Sequence, residues 1–353
     1  MTKNRKTYLD YLRVFAAFAV IIIHVSSQNL HLTEMGDINW YMFKVYLMAS
    51  DWAVPVFCMI SGSLFLPRDI DVVTIIKKYV FRISVAFVGW SLFYTLVFEL
   101  KNGLLTAAGS FVRGYSHMWF LYMIAGLYLV TPILRAVAKD QKLLKYFIIL
   151  GFVTAILIPE VLSVIGIISS RSGAYLSKAY SYIDTNVVYG YAIYYMLGYY
   201  LDNLEISEKR IMKLAIIGII CYIGPVLIFI LCASQFGIEL SFLLGNFSVG
   251  DFVRSATIFL LAKYLTNGKG GETKEVPVLL FIARHTFTLY LVHQFVITML
   301  NRLFGLNTLS FSSVLSVPVI GIISFLISII LAIILDVIRD RALLLITKRE
   351  KDF

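Results

Sequence analysis

Three polar side chains follow one side of a hydrophobic segment near the start of the chain, and one is a histidine. Asp10 and Arg13 precede the apolar run 14–23, and His24 follows it. At about 100° per residue, a helix places His24 roughly 20° around from Arg13, with Asp10 on the same side. The rise of about 1.5 Å per residue keeps Arg13 and His24 about 16 Å apart. An ionisable group in a membrane span indicates a functional site, and a neutral histidine can act as a general base.

The composition is that of a membrane protein. The 353 residues are 59% hydrophobic and 15% charged, with a mean hydropathy of +0.84. A soluble core of this size could not absorb so much apolar surface. The first apolar segment is also about 20 residues long, which is the length of a bilayer-spanning helix. We therefore predict an all-α, polytopic helical bundle in a lipid bilayer, with residues 1–353 as a single domain.

About ten transmembrane helices account for the hydrophobic segments. They are predicted at 8–28, 39–66, 74–99, 117–137, 143–165, 186–202, 211–233, 246–265, 277–300 and 313–338. Of the 31 lysines and arginines, 22 fall on the side assigned to the cytoplasm and only six on the outer side. By the positive-inside rule, both termini are cytoplasmic. The net charge of +10 is then mainly a topogenic signal, and we expect no nucleic-acid partner.

The predicted loops are short and the cysteines are isolated. The longest outer loop is predicted at 166–185, and no linker or internal repeat divides the chain. Cys58, Cys221 and Cys232 lie in apolar spans without paired spacing, so we interpret them as small buried hydrophobic residues. We expect neither a disulfide nor a metal site.

Two clusters stand at the end of the second span and the start of the third. Ser61, Gly62 and Ser63 are small enough for close approach of either a second helix or a ligand. A set of cations follows at the predicted cytoplasmic mouth of the third span: Arg68, Lys77, Lys78 and Arg82. This set is either a solvated positive-inside cluster or a site for an anionic cytosolic ligand such as a nucleotide phosphate.

Histidines and aromatic residues mark the fourth and ninth spans. His117, Trp119 and Tyr122 open the fourth span, either as an interfacial aromatic belt or as part of a substrate site. In the ninth span, His285 is expected near the cytoplasmic face. His293 lies about 12 Å further along, nearer the depth of His24, and is either a hydrogen-bonded structural residue or a substrate-binding group.

Two more carboxylates lie within predicted spans. Asp51 is in the outer half of the second span, at a depth comparable with that of His24. Asp51 could orient that histidine, although helix packing or a water-filled vestibule would explain a carboxylate at this position equally well. Asp251 and Arg254 are three residues apart on the eighth span, so we predict that they form a structural ion pair.

Several sequence pieces, in order along nearly the whole chain, resemble the acyltransferase-3 family of integral membrane acyltransferases. They are LDYLRVFAAFAVIIIH, VPVFCMISGSLFLP, the basic entry to the third span that ends at Arg82, HMWFLYMIAGLYLVTPIL, the run Tyr195–Tyr199, and TFTLYLVHQ. The pieces HMWFLY and LGYYL are most similar to the branch that modifies bacterial polysaccharides, which includes enterobacterial common antigen O-acetyltransferases.

The resemblance implies an acyltransferase in the bacterial cytoplasmic membrane. Its donor is an acyl-CoA, usually acetyl-CoA, bound from the cytoplasm. Its acceptor is a hydroxyl of an extracytoplasmic glycan or lipid-linked sugar. The family's first-span histidine falls on His24 and its preceding arginine on Arg13, so we predict His24 as general base, with Arg13 and Asp10 in the same catalytic site. The predicted acceptor-binding residues are His117, Trp119, Tyr122, His293 and Asp51.

The donor site departs from the family pattern. The R-x-x-R at the start of the third span falls on Tyr79 and Arg82, so only the second arginine is present. Lys77 and Lys78 are neighbouring cations that could replace the lost contact. The predicted acyl-CoA site consists of Arg82, Lys78, Lys77, Ser61 and Gly62.

A different class of function stays open. The chain is also similar to the membrane module of membrane-bound serine racemases, which is thought to supply an amino acid such as L-serine across the membrane. Relatives assigned to polysaccharide export suggest a further transport role. A racemase domain would follow the last span, so this function requires either that domain or a genuine transporter role. The expected partner is a racemase domain or a separate enzyme. An acyltransferase is predicted to bind acetyl-CoA, whereas an amino-acid module is predicted to bind serine.

Overall fold

The described part of the chain is mainly helical. The computed structural model describes residues 6–182, 190–267 and 275–349, and these residues form helices and no β-strand. Within them, eight helical segments are long and apolar enough to cross a membrane. The prediction of an all-α, polytopic helical bundle is confirmed.

Thirteen helices follow one another in these described ranges. They are α1 (Thr7–Ser27), α2 (Ile38–Ser50), α3 (Ala53–Phe65), α4 (Val72–Asn102), α5 (Leu104–Arg113), α6 (Trp119–Lys139), α7 (Gln141–Ile168), α8 (Ser170–Ser181), α9 (Ala192–Asp202), α10 (Glu208–Phe236), α11 (Val249–Asn267), α12 (Pro277–Phe304) and α13 (Ser313–Arg349). Two π-helical turns, Ile75–Val80 and Thr95–Glu99, interrupt α4, and a third, Val153–Leu157, interrupts α7.

Two of the ten predicted spans are not among the eight membrane-length segments of the described ranges. The span predicted at 186–202 corresponds to α9, which has only 11 residues, and residues 183–189 lie outside the described residues. The span predicted at 246–265 corresponds to α11, in which Asp251, Arg254 and Lys263 reduce the apolar character.

Two further helices replace segments that the sequence predicted as loops. Helix α8 occupies the predicted outer loop 166–185, and its Gly173 packs directly on Gly166 of α7. Helix α5 lies between the third and fourth predicted spans and is amphipathic, with Leu104 and Leu105 exposed and Ala107 buried. Neither helix is long and apolar enough to be recognised as a span on its own, which is why hydropathy alone missed both.

Short polar motifs and one glycine set several helix ends. Asp37 caps α2 by accepting from the backbone N–H of Asn39 at 3.0 Å. Asp71 caps α4 by accepting from the backbone N–H and the hydroxyl of Thr74, and these bonds hold the pKa of Asp71 below its ordinary value. Gly305 ends α12 with a left-handed φ of 63°, a conformation that favours glycine.

One compact unit contains α1, α2, α12 and α13, from residues up to 53 and from 266 onward. Helix α12 packs along α13 and α1, and α1 also contacts α2 and α13. The side-chain amide of Asn29 donates to Asn307 Oδ1 at 3.0 Å and to Thr308 Oγ1 at 3.1 Å, which ties the end of α1 to the segment before α13. Helix α1 is therefore the central element of this unit.

The second compact unit covers residues 54–265. Within it, α6 packs against α7, α9 and the first π-helical turn of α4, while α5 packs against α4. The Lys263 ammonium donates to the carbonyls of Leu201, Asp202 and Leu204, which closes the C-terminal end of α9. Helix α10 has a mean hydropathy of 2.8, and only 11% of its apolar segment is buried, as suits a helix that faces lipid.

Helices α3 and α9 touch through their backbones, at two glycines. A Cβ added at Gly62 would lie 1.8 Å from the Tyr195 carbonyl oxygen, and one at Gly198 would lie 2.1 Å from the Met59 carbonyl oxygen. The Ser63 hydroxyl lies 2.9 Å from the Gly198 carbonyl oxygen, to which it donates. Small residues thus permit a close helix–helix contact, one of the two roles predicted for this cluster.

Substituting either glycine should destabilise the protein. We expect Gly62→Ala and Gly198→Ala each to lower the free energy of unfolding by about 1–3 kcal/mol, because the new methyl group must push two backbones apart. Thermal unfolding of the purified protein in detergent, followed by tryptophan fluorescence, measures the effect.

Gly126→Ala in α6 is the matched control, because an added Cβ at Gly126 meets no atom within 4 Å. This variant should unfold at or slightly above the wild-type temperature. Equal melting temperatures for all three variants would contradict the close contact between α3 and α9.

Candidate active site

Helices α1 and α12 bring together two histidines that are far apart in sequence. The ring centroids of His24 and His293 lie 5.0 Å apart at an interplanar angle of 44°. His293 is fully buried and His24 is half-buried. The Nδ1–H of His293 donates to the Tyr290 carbonyl oxygen at 2.5 Å, which in neutral imidazole leaves Nε2 as the acceptor nitrogen. The arrangement is an imidazole pair between two apolar helices.

Asp10 and Arg13 form an ion pair one helical turn apart on α1. The distance from Arg13 Nη1 to Asp10 Oδ1 is 2.7 Å, and the Asp10 side chain is 8% exposed against 30% for Arg13. The two residues predicted to share a catalytic site with His24 therefore pair with each other, and their catalytic role stays a prediction. About three helical turns separate Arg13 from His24, so this ion pair lies in a different part of α1 from that histidine.

Asp51 is buried at the C-terminal end of α2, with 7% of its surface exposed. Its backbone N–H donates to the Leu47 carbonyl at 3.0 Å, so Asp51 extends the last turn of the helix. Asp51 belongs to the same compact unit as His24 and His293. Its role in substrate binding stays a prediction.

The predicted donor-binding cations lie on an irregular stretch of α4. Lys77 and Lys78 are exposed in the π-helical turn Ile75–Val80, and Arg82 is exposed in the next turn. Turns of this type occur frequently at functional sites. Tyr79 is half-buried, and its ring meets the Phe65 ring edge-on at 4.8 Å. Phe65 in turn stacks on Tyr128 at 4.2 Å. An aromatic cluster thus occupies the position of the family's first arginine.

Arg135 near the end of α6 is a buried cation that sequence reasoning counted only as a topogenic charge. Its Nη1 donates to the Ile70 carbonyl at 2.9 Å and lies 3.7 Å from an Asp69 carboxylate oxygen. Its Nε and Nη2 are buried and have no hydrogen-bonding partner among the described residues. Leaving buried donors unsatisfied is costly, so these two nitrogens call for an acceptor such as water or an anion.

Ser61 and Gly62, both predicted to contact the donor, make contacts with helices, and the donor contact of Ser61 stays a prediction. The Ser61 hydroxyl donates to the Phe57 carbonyl of its own helix at 2.9 Å. Gly62 is covered by the backbone of α9 at Tyr195. The small size of Gly62 serves helix packing here, and its surface is not open to a ligand.

The three residues at the start of α6 have different environments. His117 is only 1% exposed and meets the rings of Tyr94 and Tyr115 edge-on at 5.3 and 6.0 Å. The hydroxyl of the exposed Tyr122 donates to the Val112 carbonyl, which fastens α5 to α6. Trp119 is 42% exposed and lines a cavity. Of the three, Trp119 lines this cavity, and the substrate-binding roles of all three stay predictions.

Two further buried charge clusters lie on helices of the described ranges. The predicted pair of Asp251 and Arg254 is confirmed, with Arg254 Nη2 3.0 Å from Asp251 Oδ1. The second cluster was not predicted. Asp336 of α13 is buried and accepts from His285 Nδ1, the Thr288 hydroxyl and Arg339 Nη1, each at 2.6 Å. It joins α12 to α13.

Removing the negative charge of this second cluster should weaken the packing of α12 on α13. We expect Asp336→Asn to lower the free energy of unfolding by about 2 kcal/mol, because three hydrogen bonds lose their charged acceptor. Asp340→Asn is the control, since Asp340 is 65% exposed and pairs with the same Arg339. Thermal unfolding of both variants in detergent tests this, and similar destabilisation by both would contradict it.

Comparison with known proteins gives one match. Residues 6–334 match the model of a protein family, Acyl_transf_3, which is described as an acyltransferase domain. No curated protein and no solved structure matches the chain. The matched range covers almost every residue discussed above, including both histidines, the cations of α4 and Arg135.

Proposed function

The chain belongs to the acyltransferase-3 family of membrane acyltransferases, and we propose that it transfers an acyl group from cytosolic acyl-CoA to a hydroxyl of an extracytoplasmic glycan or lipid-linked sugar. Acetyl-CoA is the proposed donor. The proposed location is the bacterial cytoplasmic membrane, with both termini on the cytoplasmic side, because the predicted loops on that side carry most of the cations.

The proposal depends chiefly on the contact between His24 and His293. Each imidazole lies in a helix that is apolar over most of its length, and their centroids are 5.0 Å apart. Polar groups that can ionise are costly in such surroundings and are characteristic of functional sites in membrane proteins. Two of them in contact, from helices about 270 residues apart in sequence, are difficult to explain by helix packing alone.

In the proposed direct transfer, His24 is the general base. The acceptor hydroxyl oxygen attacks the thioester carbonyl carbon while its proton moves to the basic nitrogen of His24. The C–O bond forms, the C–S bond breaks, and the departing thiolate takes the proton from His24 to leave as CoA thiol. His293 is the positioning residue. With its Nδ1–H committed to Tyr290, its Nε2 can accept from an N–H of His24 and so hold the base in one tautomer.

Cations of the other compact unit are proposed to hold the phosphates of CoA. Lys77, Lys78 and Arg82 supply exposed positive charge at the start of α4. Arg135 supplies two buried donors with no hydrogen-bonding partner among the described residues. We propose that Arg135 provides the second guanidinium that the family pattern places at Tyr79, because phosphate oxygens are strong acceptors for a guanidinium fork.

Replacing His24 should abolish turnover while donor binding persists. We expect His24→Ala to reduce the slow hydrolysis of acetyl-CoA, measured as thiol release, by about 10²- to 10⁴-fold, the usual contribution of a general base. His31→Ala is the control, because His31 is an exposed histidine just beyond α1. If His24→Ala and His31→Ala retained equal rates, His24 would not be the base.

Replacing the donor cations should weaken binding of acetyl-CoA. Arg82→Gln and Arg135→Lys are each expected to raise the Kd about tenfold, since each loses a charge-assisted hydrogen bond or its fork geometry. The Kd is obtained from the thermal shift of the purified protein with increasing acetyl-CoA. Arg171→Gln, which removes an exposed cation of α8, is the control and should leave the Kd unchanged.

The same measurement separates acyl transfer from amino-acid supply. Acetyl-CoA should raise the melting temperature, and L-serine should have no effect. If L-serine stabilises the protein and acetyl-CoA does not, the acyl-transfer proposal is wrong and the amino-acid module replaces it.

A further inference from the structure

An open cavity of about 510 Å³ lies among the end of α4, helix α5 and the start of α6. It is formed entirely within the unit of residues 54–265. Its size falls in the range of small-ligand pockets, about 300–1,000 Å³. The predicted topology places this end of α4 on the outer side, where an extracytoplasmic acceptor would approach.

Rigid aromatic rings form one wall of the cavity. Tyr94 and Tyr115 stack with centroids 4.4 Å apart and an interplanar angle of 16°. His117 braces both rings edge-on. The Trp119 ring is 42% exposed and rests against Tyr191 at 5.6 Å. Flat rings fixed in this way can receive the apolar C–H face of a sugar ring with little loss of side-chain entropy.

Two opposite charges line the same cavity. Glu99 can accept hydrogen bonds from hydroxyl groups, and Arg113 can donate to hydroxyl, ring or carbonyl oxygens. A lipid chain would leave both charges without partners. The polyphosphate of a nucleotide would be repelled by Glu99 and would meet only one guanidinium. A pyranose suits the cavity, since it has an apolar face and a rim of hydroxyl groups.

We propose that this cavity binds a pyranose ring of the acyl acceptor, with Tyr115 and Trp119 stacking on the sugar and Glu99 and Arg113 bonding its hydroxyl groups. The inference rests on the proposed function and extends it by assigning the acceptor to a defined place. Sequence reasoning identified only Trp119 of these four residues. Tyr115, Glu99 and Arg113 carry no motif, because they converge only when α4, α5 and α6 pack.

Saturation-transfer NMR tests the proposal on the full-length protein in a detergent without sugar headgroups. The probes are the methyl glycosides of glucose, galactose, N-acetylglucosamine and glucuronic acid. We expect at least one glycoside to bind with its C–H protons saturated on one face. Trp119→Ala and Arg113→Gln should each weaken that binding about tenfold. Tyr175→Ala, at an exposed tyrosine of α8, should have no effect.

The outcomes separate this inference from the proposed function. If acetyl-CoA binds but no glycoside does, or if Trp119→Ala and Arg113→Gln bind glycosides as well as wild type, the cavity is not the acceptor site and acyl transfer stands. If glycosides bind through Trp119 but acetyl-CoA does not bind, the cavity is a sugar site and acyl transfer is overturned. The thermal shift with acetyl-CoA should be the same in wild type and Trp119→Ala, which shows that this variant is folded.

Discussion

A polar group inside an apolar helix must find its partner within the protein, and this constraint governs the structure. Lipid tails offer no hydrogen bonds to replace those of water. The pair of Asp10 and Arg13 meets the requirement within one helical turn. Asp336 meets it by joining α12 to α13, and Lys263 by closing the end of α9. Each of these partnerships orients the helices around it, so the polar groups direct how the apolar surfaces pack.

A polar side chain can stay reactive when some of its hydrogen-bonding atoms are unoccupied, or when its partner is a group of the same kind. The imidazoles of His24 and His293 are in contact, with ring centroids 5.0 Å apart. Arg135 commits one nitrogen to Ile70 and has two buried donors to offer. In the proposed acyl transfer, the base and the anion-binding group use this hydrogen-bonding capacity.

The sequence correctly predicted features that depend on residues close together along the chain. Hydropathy located most helices, and three-residue spacing correctly paired Asp251 with Arg254. Depth along a helix placed His293 near the level of His24, but only packing of α12 on α1 could reveal their contact. The Asp336 cluster was missed because its partners on α12 lie about 50 residues earlier. Gly62 was ambiguous for a related reason: sequence shows that a residue is small but not what approaches it.

The π-helical turn Ile75–Val80 has an evolutionary consequence for the cations that it carries. A π turn holds one residue more than an α turn, so it behaves as a tolerated insertion within α4. Deleting one residue there would restore the regular α-helix. Lys77 or Lys78 would then rotate about the helix axis by about 100° relative to the rest of α4. The loss of a single codon could thus redirect these lysines, and the spacing of a motif at this point need not reflect distance in space.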